Sequence, residues 1–238
     1  DSLADDEFDE CQLKGRFLTE LGTDFELIET FRWSRAEGFV LLEPHLQRLA
    51  RSSAHFGFAC DSAHVRAALL DQATKFAGDT AQRVRLTLAR EGELRISADV
   101  LTDTRAPKRL VVSPKTIDAR DPMYGHKTTR RALYDSEFAR AQREQGAYEV
   151  LFFNQRGELV EGSRTNLFLE LDGGWCTPPL SSGCLPGVMR EQVLAQRAQA
   201  SEKVLRREDL ARASRILLCN AVRGVVEVSA GSIWCGAA

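Results

Sequence analysis

In RVRLTLA, Arg83 to Ala89, the apolar residues Val84, Leu86 and Leu88 fall at every second position, and after the turn EGE the segment LRISADV alternates again. Successive side chains leave a strand on opposite sides, so a period of two buries one face only if the segment is extended. The two segments therefore predict an antiparallel hairpin, which commits this part of the chain to a sheet. Upstream, FELIETFRW (Phe25 to Trp33) reads as a strand, SRAEG as a turn, and FVLLE as a second strand. Downstream, RLVV runs as a third strand to Pro114, and the first half reads as an antiparallel sheet with helices.

The helices are marked by a different period. In HLQRLARSSAHF, which follows Glu43 and Pro44, Leu46, Leu49, Ser53 and Phe56 recur at helical spacing, with proline suited to the first turn. DSAHVRAALLDQATKF opens with Asp-Ser as a cap and lines up Val65, Leu69, Ala73 and Phe76. After a connection containing Asp-Pro and Gly, TTRRALYDSEFARAQREQ predicts a helix that stops at Gly146. YEVLFF, ELVEG and TNLFLEL follow as strands around turns at NQRG and DGG; PGVMREQVLAQRAQ is a helix and RILLCNAV a buried strand. The expected organisation is an acidic tail or linker over residues 1–22, a small α/β domain over 23–118, a connection over 119–125 and a second domain over 126–238.

Composition excludes some classes of function. The 238 residues carry 32 Lys+Arg against 34 Asp+Glu, a formal net charge of −2, so no global attraction to nucleic acid or anionic membrane is expected. Apolar runs such as Phe39 to Leu42 fall far short of the roughly 20 residues that span a bilayer, and no basic-then-apolar leader opens the chain. The six cysteines are scattered with no C-x-x-C pair, so no zinc site is expected and reduced thiols in a cytoplasm fit better.

Several residues carry possible chemistry, each with a plain alternative. Lys127, in DPMYGHKTTRRALYD, is either a nucleophilic amine or a surface lysine. Glu161, before Gly162-Ser163 in LVEGSRTNLF, is either a carboxylate facing a cleft or a turn residue. In LPGVMR, Pro186 and Gly187 open a helix whose free N–H groups at Val188 and Met189 suit a phosphate, or they merely initiate that helix. Arg48, one turn from His45, is an anion ligand or a solvated helix face; Asn220, closing RILLCN, is a site residue or a turn.

Taken in order, Arg48, Lys127, Glu161, Pro186-Gly187-Val188 and Asn220 resemble the class IV, or fold-type IV, pyridoxal-phosphate enzymes. That family contains branched-chain and D-amino-acid aminotransferases and 4-amino-4-deoxychorismate lyase. The resemblance runs from about Phe25 onward and is carried by ETFRW, LLEPHLQRL, HKTTRR, EGSRTNLF and LPGVMR. HKTTRR, FELIETFRW and SSAHFGF look most like the lyase branch, particularly domains fused behind an aminodeoxychorismate synthase, and the acidic start looks like a joining segment. Stand-alone members open with an Asn-Gly strand and a Gly-Asp-Gly stretch that this chain lacks.

The resemblance implies a two-domain α/β fold of the D-amino-acid aminotransferase type, a homodimer, and pyridoxal 5'-phosphate held between the domains. It implies that Lys127 bonds the cofactor covalently, Glu161 meets its pyridine nitrogen, and Arg48, Val188, Met189 and Asn220 hold its phosphate. Tyr124 or Tyr134 would meet the ring oxygen. The implied reaction is elimination of pyruvate from aminodeoxychorismate to give 4-aminobenzoate for folate synthesis, with Lys127 as the base. Transamination of branched-chain or D-amino acids, and a silent domain serving a synthase, are the alternatives. Arg32, Arg131, Arg164 and Arg223 are the candidate ligands for two substrate carboxylates, with Thr30 and Thr128 as candidate proton guides.

Overall fold

The computed structural model describes residues 25–102, 108–229, 231 and 233–234. The expected acidic tail, with Cys11, and Cys235 lie outside the described residues. The alternating hairpin forms as β3 (Gln82–Leu88) and β4 (Leu94–Val100), and β3 also pairs antiparallel with β1 (Leu27–Ser34). With β2 (Gly38–Phe39) they make a sheet of order β2-β1-β3-β4. Val84, Leu86 and Leu88 join Leu27, Phe31 and Trp33 in a core closed by Leu46, Leu49 and Phe56 of α1 (Leu42–Phe56) and by Val65 and Leu69 of α2 (Ser62–Thr74).

The strand expected over FVLLE ends at Phe39. Val40 N–H closes the hairpin on the Arg32 carbonyl at 2.9 Å, and Leu41, at φ 55°, then turns the chain straight into α1. The RLVV strand also departs from expectation: β5 (Leu110–Ile117) leaves the first-half sheet and pairs parallel with β6 (Glu149–Asn154). It runs through Pro114, and a register shift between Val112 and Thr116 absorbs the missing N–H.

Beyond residue 108 two sheets face each other. One has the order β13-β5-β6-β7, with β7 Leu159–Gly162 and β13 Ile233–Trp234; the other is β10-β9-β8-β11-β12. In the second, β8 (Asn166–Leu171), β9 (Gly174–Thr177) and β11 (Arg215–Asn220) answer the expected strands, while β10 (Ala200–Glu202) and β12 (Gly224–Ser229) have no counterpart in the sequence reading. Asp172 and Gly173, both at positive φ, make the two-residue β8–β9 turn, as the DGG signal requires. Leu110, Leu151, Leu167, Leu169, Ile216 and Leu218 fill the space between the sheets. Helix α3 (Ala132–Gln145) covers the outer face of the first sheet through Tyr134 and Ala141. Helix α4 (Val188–Gln196) covers the other sheet through Val193, and α5 (Arg207–Arg212) adds Leu210 to the central core.

Helix α3 begins at Ala132, four residues later than expected. The intervening Lys127–Thr129 stretch is extended because β1 captures its backbone: Ile28 N–H donates to the Lys127 carbonyl (2.8 Å) and Thr129 N–H to the Glu26 carbonyl (2.9 Å). That stitch fixes Lys127 against the first-half sheet, beside the second-half helix that follows it. Among the described residues, no helix is long and apolar enough to cross a membrane.

Candidate active site

A cavity of about 340 Å³ lies where β1, β3, α1, α4 and the 127–131 segment converge, within the size range of small-molecule sites. Thr30, Arg48, Lys127, Arg131, Arg164, Val188, Met189, Asn220 and Arg223 all line it. A second cavity, also about 340 Å³, reaches Lys127, Arg131, Tyr124, Tyr134, Thr128 and Glu161 from the other side. Residues drawn from Thr30 to Arg223 thus meet around one amine.

Strand parity explains the first-half contributions. On β1, Leu27, Phe31 and Trp33 face the helices, and Glu29 occupies the same row. Glu29 is 1% exposed, and α1 supplies its partners one turn apart: Arg48 Nε and Nη2 donate to it at 2.9 and 2.6 Å, and His45 Nδ1 lies 2.6 Å from Oε2. Burial opposes ionisation of Glu29, but the charges and hydrogen bonds of Arg48 and His45 outweigh it and hold the carboxyl at about 2. The opposite row carries Thr30, which registers with Arg85 of β3 as Arg32 does with Arg83, and cross-strand partners share a face. Thr30, Arg83 and Arg85 accordingly all line the cavity.

The lysine is set apart by its burial. Burial lowers the Lys127 amine to about 7; Arg131, Arg48 and Arg85 push the same way, and Glu29 opposes. An amine near 7 is largely unprotonated just above neutrality and so nucleophilic. Glu161, at 6% exposure, moves oppositely: burial raises it to about 7, against the Tyr134 hydroxyl, the Leu185 N–H and the charges of Arg131 and Lys127. Tyr134 donates to Oε1 at 2.9 Å, while Asn166 Nδ2 and Leu185 N–H donate to Oε2, each at 3.1 Å. Tyr124 packs edge-on to Tyr134 at 5.7 Å, and burial raises its phenol to about 12.

At the other end, α4 starts at Gly187 without a side-chain cap among the described residues, and the dipole and N–H groups of its first turn face the start of the helix. Arg48 reaches this start, donating Nη1 to the Pro186 carbonyl at 3.3 Å. Gly187 permits the close approach: a Cβ there would lie 1.9 Å from Asn166 Oδ1. Asn220 spends Oδ1 on the N–H groups of Val222 and Arg223, holding that turn at the cavity edge.

The candidate arginines separate. Arg131 donates to the Ser163 carbonyl at 2.6 Å, Arg164 donates to the Tyr148 carbonyl at 2.8 Å and lies over the Phe138 ring, and Arg223 donates to the Thr102 carbonyl at 3.2 Å. Arg32 is not a lining residue; its guanidinium pairs with Glu37 in the β1–β2 turn at 3.2 Å. Thr128 is buried, and its Oγ1 accepts from Arg130 N–H. Arg83, Arg85 and His45 line the cavity without having been named as site residues. The signal for the two arginines was the polar half of the RVRLTLA alternation, which locates a face but not what covers it.

Comparison with known proteins bears on what this arrangement is. A crystal structure from Mesorhizobium loti, provisionally described as an amino-acid aminotransferase, is 36% identical, covers 89% of this chain and 100% of its own, and has a TM-score of 0.80. A protein of Schizosaccharomyces pombe, provisionally described as an aminodeoxychorismate lyase, is 27% identical over 78% of this chain and 81% of its own length. The 4-amino-4-deoxychorismate lyase structure from Pseudomonas aeruginosa is 25% identical with a TM-score of 0.72, covering 85% of this chain and 82% of that one. The family profile described as "Amino-transferase class IV" matches residues 26–230, and the chain belongs to that family of fold-type IV, pyridoxal-phosphate-dependent enzymes.

Proposed function

We propose that the protein is a 4-amino-4-deoxychorismate lyase, eliminating pyruvate to leave 4-aminobenzoate. Three features fit the family's cofactor: a buried amine lowered to about 7 at Lys127, a buried carboxylate at Glu161, and an uncapped helix start beside Arg48. In this reading Lys127 bonds the aldehyde, Glu161 meets the pyridine nitrogen, and Arg48 with the N–H groups of Val188 and Met189 takes the phosphate at an edge formed by Asn220. Tyr134 is better read as the residue holding Glu161 than as a partner of the ring oxygen, because its hydroxyl is given to that carboxylate. When bound, the cofactor supplies an electron sink for a carbanion at the substrate's amine-bearing carbon.

The observation that carries the substrate assignment is the cationic cavity wall. Among the described lining residues, Arg83, Arg85, Arg131, Arg164 and Arg223 outnumber Asp135 and Glu149, although Arg83 also pairs with Asp99 at 2.7 Å and Arg131 with Asp135 at 3.4 Å. Burial, followed by the charge of Arg131, holds Arg85 below the usual arginine range, with Asp135 and Glu26 opposing. A substrate with two carboxylates answers that charge; a branched aliphatic side chain does not. Lys127, once displaced, removes the proton from the amine-bearing carbon. The adjacent carbon–oxygen bond then breaks, its electrons leave with enolpyruvate, and a proton delivered to that fragment gives pyruvate. Aromatisation drives the step, and no oxidant or acceptor is consumed.

The test is incubation with aminodeoxychorismate and no keto acid: pyruvate and 4-aminobenzoate should form in equal amounts, and Lys127→Ala should lose both this activity and the visible absorption of the bound cofactor. The likeness to the Mesorhizobium protein favours a second reading, an amino-acid aminotransferase, for which the arginines of the wall would select a dicarboxylic amino acid over the branched-chain or D-amino acids expected from the sequence. Amino transfer to 2-oxoglutarate without lyase product would establish it in place of the first. A homodimer and a synthase partner go with the lyase reading and are checked by sedimentation and co-purification.

A further inference from the structure

Among the described residues, Nε2 of His45 is a buried polar atom without a partner, and His45 lines the main cavity. The residue is 1% exposed, and its other ring nitrogen lies 2.6 Å from Glu29 Oε2. An ionised carboxylate only accepts, so Nδ1 carries the proton, and in the neutral ring Nε2 is a bare lone pair. Burial holds the imidazole below the usual histidine range, with Glu29 opposing, and the ring is neutral in the cofactor-free protein at neutral pH.

Glu29 also accepts two hydrogen bonds from Arg48, so those two residues form a pair with no net charge. A phosphate monoester carries close to two negative charges near pH 7, its second pKa being about 6. At the Arg48–Val188 end it would meet a spent cation and helix N–H groups. The groups facing His45 are Glu29 and the Phe31 ring from β1, Arg48 from its own helix, and Lys127 from the connecting segment. Glu29 favours a protonated ring while Arg48 and Lys127 oppose it, and an arriving dianion reverses the balance. Protonation costs no existing bond, because Nδ1–H stays on Glu29 and Nε2 gains the hydrogen.

We propose that His45 is a ligand-binding residue of this site, taking one proton from solvent at Nε2 when a phosphate monoester binds and donating it to a phosphate oxygen. This rests on the reading that this end of the cavity holds the cofactor's phosphate. The experiment titrates cofactor-free protein with pyridoxamine 5'-phosphate, which cannot bond covalently to Lys127, and with pyridoxamine, which lacks the phosphate. Calorimetry at neutral pH in buffers of different ionisation heat counts the protons. The wild type should take up one proton more with the phosphate ester than His45→Asn does, since asparagine keeps a donor for Glu29 but has no Nε2. That variant should also bind the ester about tenfold more weakly and pyridoxamine unchanged.

Equal proton uptake by the two proteins overturns the proposal. Should His45→Asn not fold, nitrogen-15 NMR of histidine-labelled wild type reads the same event. An Nε2 signal that stays at its unprotonated position when the ester binds overturns the proposal, and a move to the protonated position supports it. Binding without proton uptake removes the role of His45 alone, whereas absence of any binding to the wild type removes the cofactor reading with it.

Discussion

Glu29→Gln is the most informative single change, because Glu29 accepts from both Arg48 and His45 on α1 while its own side chain is sealed from solvent. The partners hold the carboxyl at about 2 instead of the ordinary 4.5, against the opposing effect of burial. At about 1.4 kcal/mol for each tenfold change, that difference is worth about 3 kcal/mol. Breaking a buried pair by removing one charge costs about 3–5 kcal/mol, so the two estimates agree. The sign follows from linkage. A carboxyl depressed on folding contributes fully above about 4.5, and the contribution is lost as pH falls toward 2. Cofactor-free Glu29→Gln should therefore be about 3 kcal/mol less stable than wild type at neutral pH in denaturant titration, equivalent to a melting point lower by about 6–12 °C for a chain of this size. The gap should narrow as both proteins are taken below the ordinary carboxyl range. A loss smaller than about 1 kcal/mol, or a gap indifferent to acid, would sink the argument that this pairing holds α1 to β1. Replacing Glu29 and Arg48 together by methionine should recover much of the loss, since no unpaired charge is left behind.

Gly187→Ala should lower stability by about 1–3 kcal/mol and weaken cofactor binding, because φ of −73° accepts alanine but its Cβ meets Asn166 Oδ1. Adding Asn166→Ala should relieve the clash, and a double-mutant cycle that shows simple additivity would contradict it. Tyr134→Phe removes a donor that lowers Glu161, so the carboxyl should titrate above about 7 and the pH dependence of the bound cofactor's visible absorption should move upward; an unmoved profile would count against the pairing. Arg131→Met takes away the largest charge acting on the Lys127 amine, which should rise above about 7 in the cofactor-free protein and carry the pH dependence of its reaction with an amine-directed reagent to higher pH. A profile left in place would exclude Arg131 from tuning the lysine.

What could be read beforehand divides by range along the chain. The alternation of Val84, Leu86 and Leu88 gave β3 because parity is local, and DGG gave the β8–β9 turn because Asp172 and Gly173 need only their own backbone. The motifs around Lys127, Glu161 and Gly187 were visible as short patterns, and the fold brings them to adjoining cavities. What stayed hidden depends on partners far away. Nothing in TTRRALY says that β1, a hundred residues earlier, will hold Lys127–Thr129 extended and delay α3. Nothing in RLVV says that its partner is β6 rather than β4, since both sheets bury the same kind of strand. Arg85 faces the cavity only because β3 registers with Thr30, and His45 becomes a site residue only because Glu29 breaks an apolar row at the level of its ring.

The arginines that make the cavity cationic are also the ones that depress the lysine. Arg131, Arg48 and Arg85 each lower the Lys127 amine, and Arg131 and Arg85 belong to the wall that a dicarboxylate would neutralise. In the empty cavity they favour the unprotonated amine, the form that can attack an aldehyde. Under the proposed lyase reading, substrate carboxylates paired with Arg131 and Arg85 would weaken their hold on the amine and raise its proton affinity. Lys127 would then be the stronger base at the stage where a substrate proton has to be removed. In that reading one cluster of charges would serve both steps without any residue changing place, because binding the substrate's charge would convert the lysine from a nucleophile to a base.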